Sequence, residues 1–173
     1  MLWRRLQGSS RWRHTDQLID QWLKERQELL KLYCEAPKLS TIQNRPHPPV
    51  LDVIDTQYLK SFFNTLIDYL AVLQMEILEK LYELEIDIWK KHRIRYGLNP
   101  RLSERLFKTL NPILDIEAEC QTILAENPIP WEKIKTALSR LGELLAERLD
   151  LEDALIGAYM VARHATQEKE RAS

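Results

Sequence analysis

The sequence has little glycine, little cysteine and no long hydrophobic run, and each shortage argues against a class of protein. Glycine occupies only four of 173 positions and forms no glycine-rich loop, which argues against an enzyme that cradles a phosphate. The two cysteines, Cys34 and Cys120, are not at a metal-like spacing and fit a reducing compartment. The uncharged runs are too short to cross a bilayer, and the arginine-rich N terminus lacks the apolar run of a signal peptide. We therefore expect a soluble, cytoplasmic protein.

Histidine is also scarce, and its positions form no recognisable metal or catalytic motif. A di-iron or di-manganese bundle site needs a Glu-x-x-His pair on each of two helices. None of the four histidines has glutamate three residues before it; they are His14, His47, His92 and His164. No motif of an activated nucleophile is present. These absences predict a protein that is not an enzyme and has no catalytic residue, metal site or cofactor.

What the sequence has instead is apolar residues at the three-and-four spacing of helix faces over most of its length. We predict an all-α fold, an antiparallel four-helix bundle with long, partly kinked helices, formed as a single domain over residues 1–173. The predicted helices cover residues about 10–35, 54–93, 100–126 and 131–165, with a proline-rich connection over about 36–52. Ser9 or Ser10 would cap the first helix, Pro112 would kink the third, and the tail after Ala165 would fray.

Two charged residues interrupt the apolar stripe of the last helix. Arg148 lies seven residues after Leu141, and Glu152 lies seven residues after Leu145, so both fall where the core should be. They are four residues apart and can therefore pair along the helix. Two arrangements remain open: a buried ion pair, or a pair that snorkels at the edge of the stripe.

The first helix also carries a charge on its core stripe. Arg26 follows Trp22 by four residues and Ile19 by seven, and Asp20 lies on the flank of the same stripe. A guanidinium is flat and weakly hydrated, so we expect Arg26 to stack on Trp22.

The long second helix has a second side, opposite its core stripe, that is polar at first and then apolar. At about 100° per residue, one set of residues shares this side: Asn64, Asp68, Ala71, Met75, Leu78, Tyr82, Ile86 and Trp89. Such a side is either sandwiched inside the protein or presented to a partner. We expect the residues around Asp68 to form a partner-binding surface and those from Tyr82 to Trp89 to be sandwiched inside the protein. A dimer through this side of the helix remains open.

Three sequence blocks together resemble a known family. They are LIDQWLKER at residues 18–26, FNTLIDYL at residues 63–70, and the run at residues 141–153 that contains ERLDLED. In this order and at these separations the chain resembles the Rsd/AlgQ family of bacterial regulators, which bind the primary, housekeeping sigma factor of RNA polymerase. The resemblance implies a cytoplasmic helical bundle that grips the C-terminal domain of sigma, called region 4, in slow growth and stationary phase. It implies sigma as the partner, with no direct DNA binding.

The resemblance also implies roles for particular residues. The family pattern matches at Asp20, Trp22, Arg26, Asp68, Tyr69, Arg148, Glu152 and Asp153. We expect sigma to bind through Asp68, Ala71, Met75, Leu78 and Asn64. We expect a buried polar scaffold formed by Asp20, Trp22, Arg26, Arg148, Glu152 and Asp153. The sequence departs from the family after Asp68, where Ser-Ala-Gly-His-Phe is replaced by Ala71-Val72-Leu73-Gln74-Met75, and a later tyrosine is replaced by Leu78.

This departure leaves other partners open. One alternative is a helical adaptor of the same fold that binds a different regulatory protein. Another is a nucleic-acid binder that uses Arg4, Arg5, Arg11 and Arg13 with Trp3 and Trp12 as stacking groups. A monomer and a weak homodimer are both compatible with the sequence.

Overall fold

The computed structural model describes the backbone of residues 2–38, 49–93 and 100–172, and the side chains of residues 12–38, 53–93 and 101–172. In these ranges the chain is helical apart from a short connection at residues 125–130, and it contains no strand. The helices are α1 (Leu2–Glu35), α2 (Pro49–Val72), α3 (Leu78–His92), α4 (Pro100–Leu124) and α5 (Trp131–Ala172). A short 3-10 turn, Ala36–Lys38, follows α1. The predicted all-α fold is confirmed.

A π-helical turn, Leu73–Ile77, joins α2 to α3 without a break, so that the two form one long helix. The turn closes with the Leu78 N–H donating to the Leu73 carbonyl five residues earlier. The helix ends at Arg93, which is left-handed with φ of 55° and whose N–H donates to the Trp89 carbonyl at 2.8 Å. The long helix therefore carries one extra residue in its middle, and the turn overlaps Ala71–Met75, where the sequence departs from the pattern of the family that it resembles.

Contacts between side chains show how the four long helices run. Arg26 and Tyr33 of α1 contact Asp153 and Leu138 of α5, so α1 and α5 are antiparallel. Tyr69 and Lys91 of the long helix contact Glu152 and Glu170, so this helix runs parallel to α5. Thr109 and Glu119 of α4 contact Arg148 and Arg140, which makes α4 antiparallel to α5. Neighbours in the chain are thus antiparallel, as the predicted bundle requires.

One apolar core runs between these helices. Each helix contributes a stripe at three-and-four spacing, and burial of one such large side chain stabilises the fold by about 1.5–3 kcal/mol. Members that are almost fully buried include Trp22, Phe62, Leu66, Ile113 and Leu141. Because the stripes are continuous, the core positions the polar groups that lie among them.

The helix ends differ from the predicted ones. Helix α1 begins at Leu2, so Ser9 and Ser10 lie within the helix and do not cap it. Serine is tolerated inside a helix at little cost, and its presence alone therefore does not mark where a helix begins. Helix α2 begins at Pro49, a residue suited to the first helical position. Helix α5 continues past Ala165 to Ala172. In this last part Thr166 is buried, and Glu170 Oε1 lies 3.6 Å from Lys91 Nζ of α3.

Pro112 lies inside α4 without interrupting it. None of the described helices combines the length and apolarity needed to cross a membrane.

Candidate functional site

Arg148 and Glu152 form a buried ion pair on α5. Their side chains are 1% and 0% exposed, and Arg148 Nε donates to Glu152 Oε1 at 2.8 Å. Arg148 Nη1 also donates to the Leu106 carbonyl at 3.1 Å and to Thr109 Oγ1 at 2.8 Å, both on α4. Of the two arrangements that the sequence left open, the structure has the buried pair. Burial of two ions costs several kcal/mol unless such hydrogen bonds compensate.

Tyr69 connects this pair to the long helix. Its hydroxyl donates to the second oxygen of Glu152, and its ring stacks on Trp22 of α1, with ring centres 5.7 Å apart and planes inclined by 10°. The Glu152 carboxylate therefore has a donor on each oxygen. Asp68, one residue before Tyr69 and about 100° away round the helix, is exposed.

Arg26 reaches the same pair from α1. Its Nη2 lies 2.7 Å from Asp153 Oδ1, and its Nη1 lies 3.9 Å from Glu152 Oε2. The guanidinium thus pairs with carboxylates of α5 where we had expected it to stack on Trp22, and Tyr69 stacks there instead. We call Arg26, Tyr69, Arg148, Glu152 and Asp153 the core ion network. It ties α1, α2, α4 and α5 together at one level of the bundle.

Asp20, which we expected in the buried scaffold, lies outside the core ion network. It is exposed because it is one residue past Ile19, about 100° round α1 from the buried stripe. Asp153 belongs to the network but is itself 62% exposed, so Arg26 reaches from the core toward the surface to pair with it.

Burial raises the pKa of two groups in the core ion network. The pKa of Glu152 is raised by desolvation, although the Tyr69 hydroxyl and the two arginines oppose the shift. Desolvation and the neighbouring Glu152 also raise the pKa of Tyr69 well above its ordinary value. The Tyr69 hydroxyl therefore stays protonated and remains the donor in its bond to Glu152.

Four of the five predicted sigma-binding residues are exposed along α2 and the π-helical turn, and the fifth lies beyond the turn. Asn64, Asp68, Ala71 and Met75 are exposed, Met75 by 73%, while Leu78 is half-buried and packs against the core. We call these five residues the Asp68 face. Asp68 makes no hydrogen bond or ion pair with the side chains that the structure describes.

The residues from Tyr82 to Trp89 lie on α3, and the prediction that they are packed between other helices is wrong. Tyr82, Ile86 and Trp89 are 47%, 43% and 40% exposed, because α3 turns Leu81, Leu84 and Ile88 toward the other helices. Arg93 covers part of Trp89, with its guanidinium carbon 4.9 Å from the ring centre.

A second polar cluster, between α1 and α5, was not predicted from the sequence. Asp16 accepts a hydrogen bond from the Tyr159 hydroxyl at 2.5 Å and receives Arg163 through Nε and Nη2, the latter at 2.8 Å. The Arg163 guanidinium also lies over Trp12, 5.1 Å from its ring centre. The one available signal was Tyr159, a buried tyrosine on a core stripe whose hydroxyl needs a partner.

This cluster bears on the nucleic-acid alternative. Trp12 is 5% exposed and packs against Tyr159, so it cannot serve as a stacking group for bases. Arg4, Arg5, Arg11 and Trp3 lie outside the residues whose side chains the structure describes. Within the described ranges, no three His, Cys, Asp or Glu side chains lie close enough together to hold a metal ion.

Within the described residues, the fold and the site together define an all-helical bundle with an ion network inside it and an exposed carboxylate, without a partner there, on its long helix. A sequence model of the family described as "Regulator of RNA polymerase sigma(70) subunit, Rsd/AlgQ" matches residues 1–160. The chain belongs to this Rsd/AlgQ family, as the three sequence blocks predicted.

Curated relatives agree with the family. The chain is similar to "Regulator of sigma D" of Yersinia pestis bv. Antiqua (strain Angola), with 29% identity over 143 residues, which cover 82% of this chain and 79% of the relative. It is also similar to "Regulator of sigma D" of Pectobacterium atrosepticum, with 29% identity over 141 residues, or 80% of this chain and 85% of the relative. No solved structure matches the chain significantly.

Proposed function

We propose that the protein is an anti-sigma factor that binds region 4 of the primary sigma factor through the Asp68 face. Region 4 reads the −35 promoter element and docks on core RNA polymerase, and an occupied region 4 would do neither. The protein would act by stoichiometric sequestration in the cytoplasm, without catalysis, cofactor or contact with DNA. We expect it to be a monomer or a weak homodimer when free.

One observation carries the proposal: Asp68 is an exposed carboxylate that has no partner among the described side chains, and it lies in a stretch without positive charge. Between Lys60 and Lys80 the sequence has three acidic residues, Asp68, Glu76 and Glu79, and no lysine, arginine or histidine. All three are exposed. A domain that binds DNA carries basic side chains for phosphate contacts, so this stretch is complementary to it in charge.

The chemistry of the Asp68 face fits a protein partner. A carboxylate can accept two hydrogen bonds from one arginine, and such charge-assisted bonds are about twice as strong as neutral ones. Met75 is flexible and polarisable, so it can fill an irregular apolar surface next to that contact. Where the family has Ser-Ala-Gly-His-Phe, this chain offers Ala71 to Met75, and we expect it to rely more on apolar burial and less on hydrogen bonds.

The test is a calorimetric titration of the full chain with an isolated region 4 domain of the primary sigma factor from the same bacterium. We expect saturable one-to-one binding, and we expect Asp68→Ala to weaken it by about tenfold or more, the effect of truncating a side chain at the centre of an interface. The matched control is Asp150→Ala, which removes an exposed carboxylate from α5. It should leave the affinity unchanged.

Thermal melting separates binding from folding in this test. Because Asp68 is exposed and unpaired, its replacement should leave the melting temperature where it is. Absence of binding by the unaltered chain would refute the proposal. Equal loss of affinity in both variants would show that the net charge matters and the Asp68 face does not.

A further inference from the structure

Helix α3 has an exposed apolar stripe that lies outside the Asp68 face. Tyr82, Ile86 and Trp89 follow one another at spacings of four and three residues, and they are 47%, 43% and 40% exposed. We call these three residues the α3 stripe. Single exposed apolar side chains are common, but three at helical spacing form one continuous strip, and such a strip suits packing against another helix.

The charges along the edges of the α3 stripe are ordered by sign. Glu79 and Glu83 lie toward its N-terminal end, and both are exposed. Lys90 and Arg93 lie toward its C-terminal end, and both are exposed. Glu83 pairs with Lys80 at 3.0 Å, whereas the other three have no ion-pair partner among the side chains that the structure describes. The stripe is therefore complementary in charge to a second stripe that runs in the opposite direction.

Other charged residues of α3 point away from the α3 stripe. Glu85 and Asp87 lie about 100° to either side of Ile86, are half-buried and already interact within the chain. Lys91 lies about 140° from Ile86 and pairs with Glu170 of α5 at 3.6 Å. These residues leave the charge order at the edges of the stripe unchanged.

A two-fold axis that crosses α3 at Ile86 would bring opposite charges together. Glu79 and Arg93 lie seven residues before and after Ile86, so each is about 10 Å from it along the helix. In an antiparallel pair, Glu79 of one copy would therefore lie opposite Arg93 of the other. Glu79 is only about 20° from Ile86 round the helix, and the contact of Arg93 with Trp89 holds its guanidinium on the same side.

The two flanks of the α3 stripe match under the same axis. Glu83 and Lys90 lie about 60° and 40° from Ile86 on one flank, while Tyr82 and Trp89 lie about 40° and 60° from it on the other. A two-fold axis across the helix reverses the chain direction and keeps each flank. Glu83 would therefore meet Lys90 of the other copy. Tyr82 would meet Trp89, and both pairs are level to within about 1.5 Å.

We propose that two copies of this chain associate through the α3 stripe as an antiparallel, two-fold symmetric dimer. Each copy contributes the same residues, as an isologous interface requires. A stable dimer buries about 800 Å² on each partner, and three half-exposed apolar side chains supply only part of that area. We therefore expect a weak dimer that forms at about 0.5 mM and dissociates on dilution to about 10 µM. The inference does not depend on sigma binding.

Sedimentation of the full chain over this range of concentrations tests the proposal. Ile86→Asp places two carboxylates at the two-fold axis, so it should raise the dissociation constant of the dimer by about tenfold or more. Because Ile86 is 43% exposed, the melting temperature should stay the same. The matched control is Val161→Asp, which adds a carboxylate at an apolar position of α5 that is 61% exposed. It should dimerise like the unaltered chain.

Charge reversal tests the direction of the two helices. Glu79→Arg and Arg93→Glu each place like charges opposite one another, so either variant alone should dimerise about tenfold more weakly or worse. An equimolar mixture of the two should dimerise again, because both contacts of the mixed pair then join opposite charges. Glu147→Arg reverses an exposed charge on α5 and should have no effect. In a parallel dimer neither single reversal would weaken association, and that result would refute the antiparallel arrangement.

The remaining outcomes separate this inference from the proposed function. A chain that stays monomeric throughout the range would overturn the inference and leave the proposed function standing. A dimer that Ile86→Asp does not weaken would also overturn it, since the interface would then lie elsewhere. If the chain is monomeric and Ile86→Asp weakens the binding of region 4, sigma covers the α3 stripe and a second copy does not.

Discussion

The buried pair of Arg148 and Glu152 should be coupled far more strongly than any surface pair of this protein. Loss of one partner leaves a buried charge without compensation, which costs about 3–5 kcal/mol. Arg148→Met leaves the Glu152 carboxylate without its arginine partner. Glu152→Leu leaves the Arg148 guanidinium without a carboxylate, although the Arg148 side chain is only 1% exposed. The double variant buries neither charge and replaces the pair with side chains of similar volume, a change that is often neutral or stabilising.

The double variant should therefore be more stable than the sum of the single variants predicts. We expect a coupling free energy of at least about 2 kcal/mol. Each single variant should lower the melting temperature by roughly 6–20 °C, at about 2–4 °C per kcal/mol for a chain of this size. Urea and thermal unfolding followed by circular dichroism at 222 nm measure these quantities.

The pair of Arg140 and Glu119 is the matched control for this cycle. It has similar geometry, with Nη1 and Oε2 3.0 Å apart, but the two side chains are 53% and 41% exposed. Its coupling should be below about 1 kcal/mol. Additive effects of Arg148→Met and Glu152→Leu, within about 0.5 kcal/mol, would refute the view that the core ion network holds the helices together.

Two further predictions concern stability. A Cβ at Gly142 would lie 2.0 Å from the Tyr33 hydroxyl, which donates to the Leu138 carbonyl at 2.9 Å; Gly142→Ala should therefore cost about 1–2 kcal/mol despite the better helix propensity of alanine, and Tyr33→Phe should partly relieve the loss. A gain in stability would show that Tyr33 moves aside freely. Burial raises the pKa of Glu152 above its ordinary value of 4.5, so its contribution to stability is fully present below pH 4.5 and is lost as the pH rises through the folded-state pKa. Urea unfolding at a series of pH values from below 4.5 upward should show that the free energy of unfolding of the unaltered chain falls as the pH rises, and that this fall is absent in Glu152→Gln. Identical pH profiles of the two proteins would contradict the raised pKa.

The sequence predicted that Arg148 and Glu152 interrupt the core stripe of the last helix, because the helical repeat alone places them there. Arg148 and Glu152 each follow a core leucine by seven residues, and both are buried in the structure. The same repeat placed Asn64, Asp68, Ala71 and Met75 together, and all four are exposed. Periodicity determines which residues share a side of a helix.

Periodicity does not determine what lies opposite that side. The partners of Arg148 on α4 are about 40 residues away in sequence, and Asp16 is 143 residues from Tyr159. Such pairs follow from the packing of whole helices, which one sequence does not specify at the level of single atoms. The exposure of Tyr82 to Trp89 was missed for the same reason, since an apolar side is buried only where another helix runs beside it.

The π-helical turn could not be predicted from the sequence. The placement of residues at about 100° per residue assumes an unbroken α-helix. One extra residue at Leu73–Ile77 shifts the angular positions of all later residues without changing the composition of the helix. Leu73 and Ile77 are both buried, so the core stripe passes through the turn.

The neighbouring positions Asp68 and Tyr69 have a consequence for protein engineering. The first points to solvent, and the second donates to a carboxylate on a helix 83 residues further along the chain. A graft of the Asp68 face onto another helical bundle would import a buried hydroxyl with no acceptor, unless Glu152 and its arginine came with it or Tyr69 were replaced by phenylalanine. The recognition surface is therefore not a portable module, and a minimal binder derived from it needs residues from at least two helices.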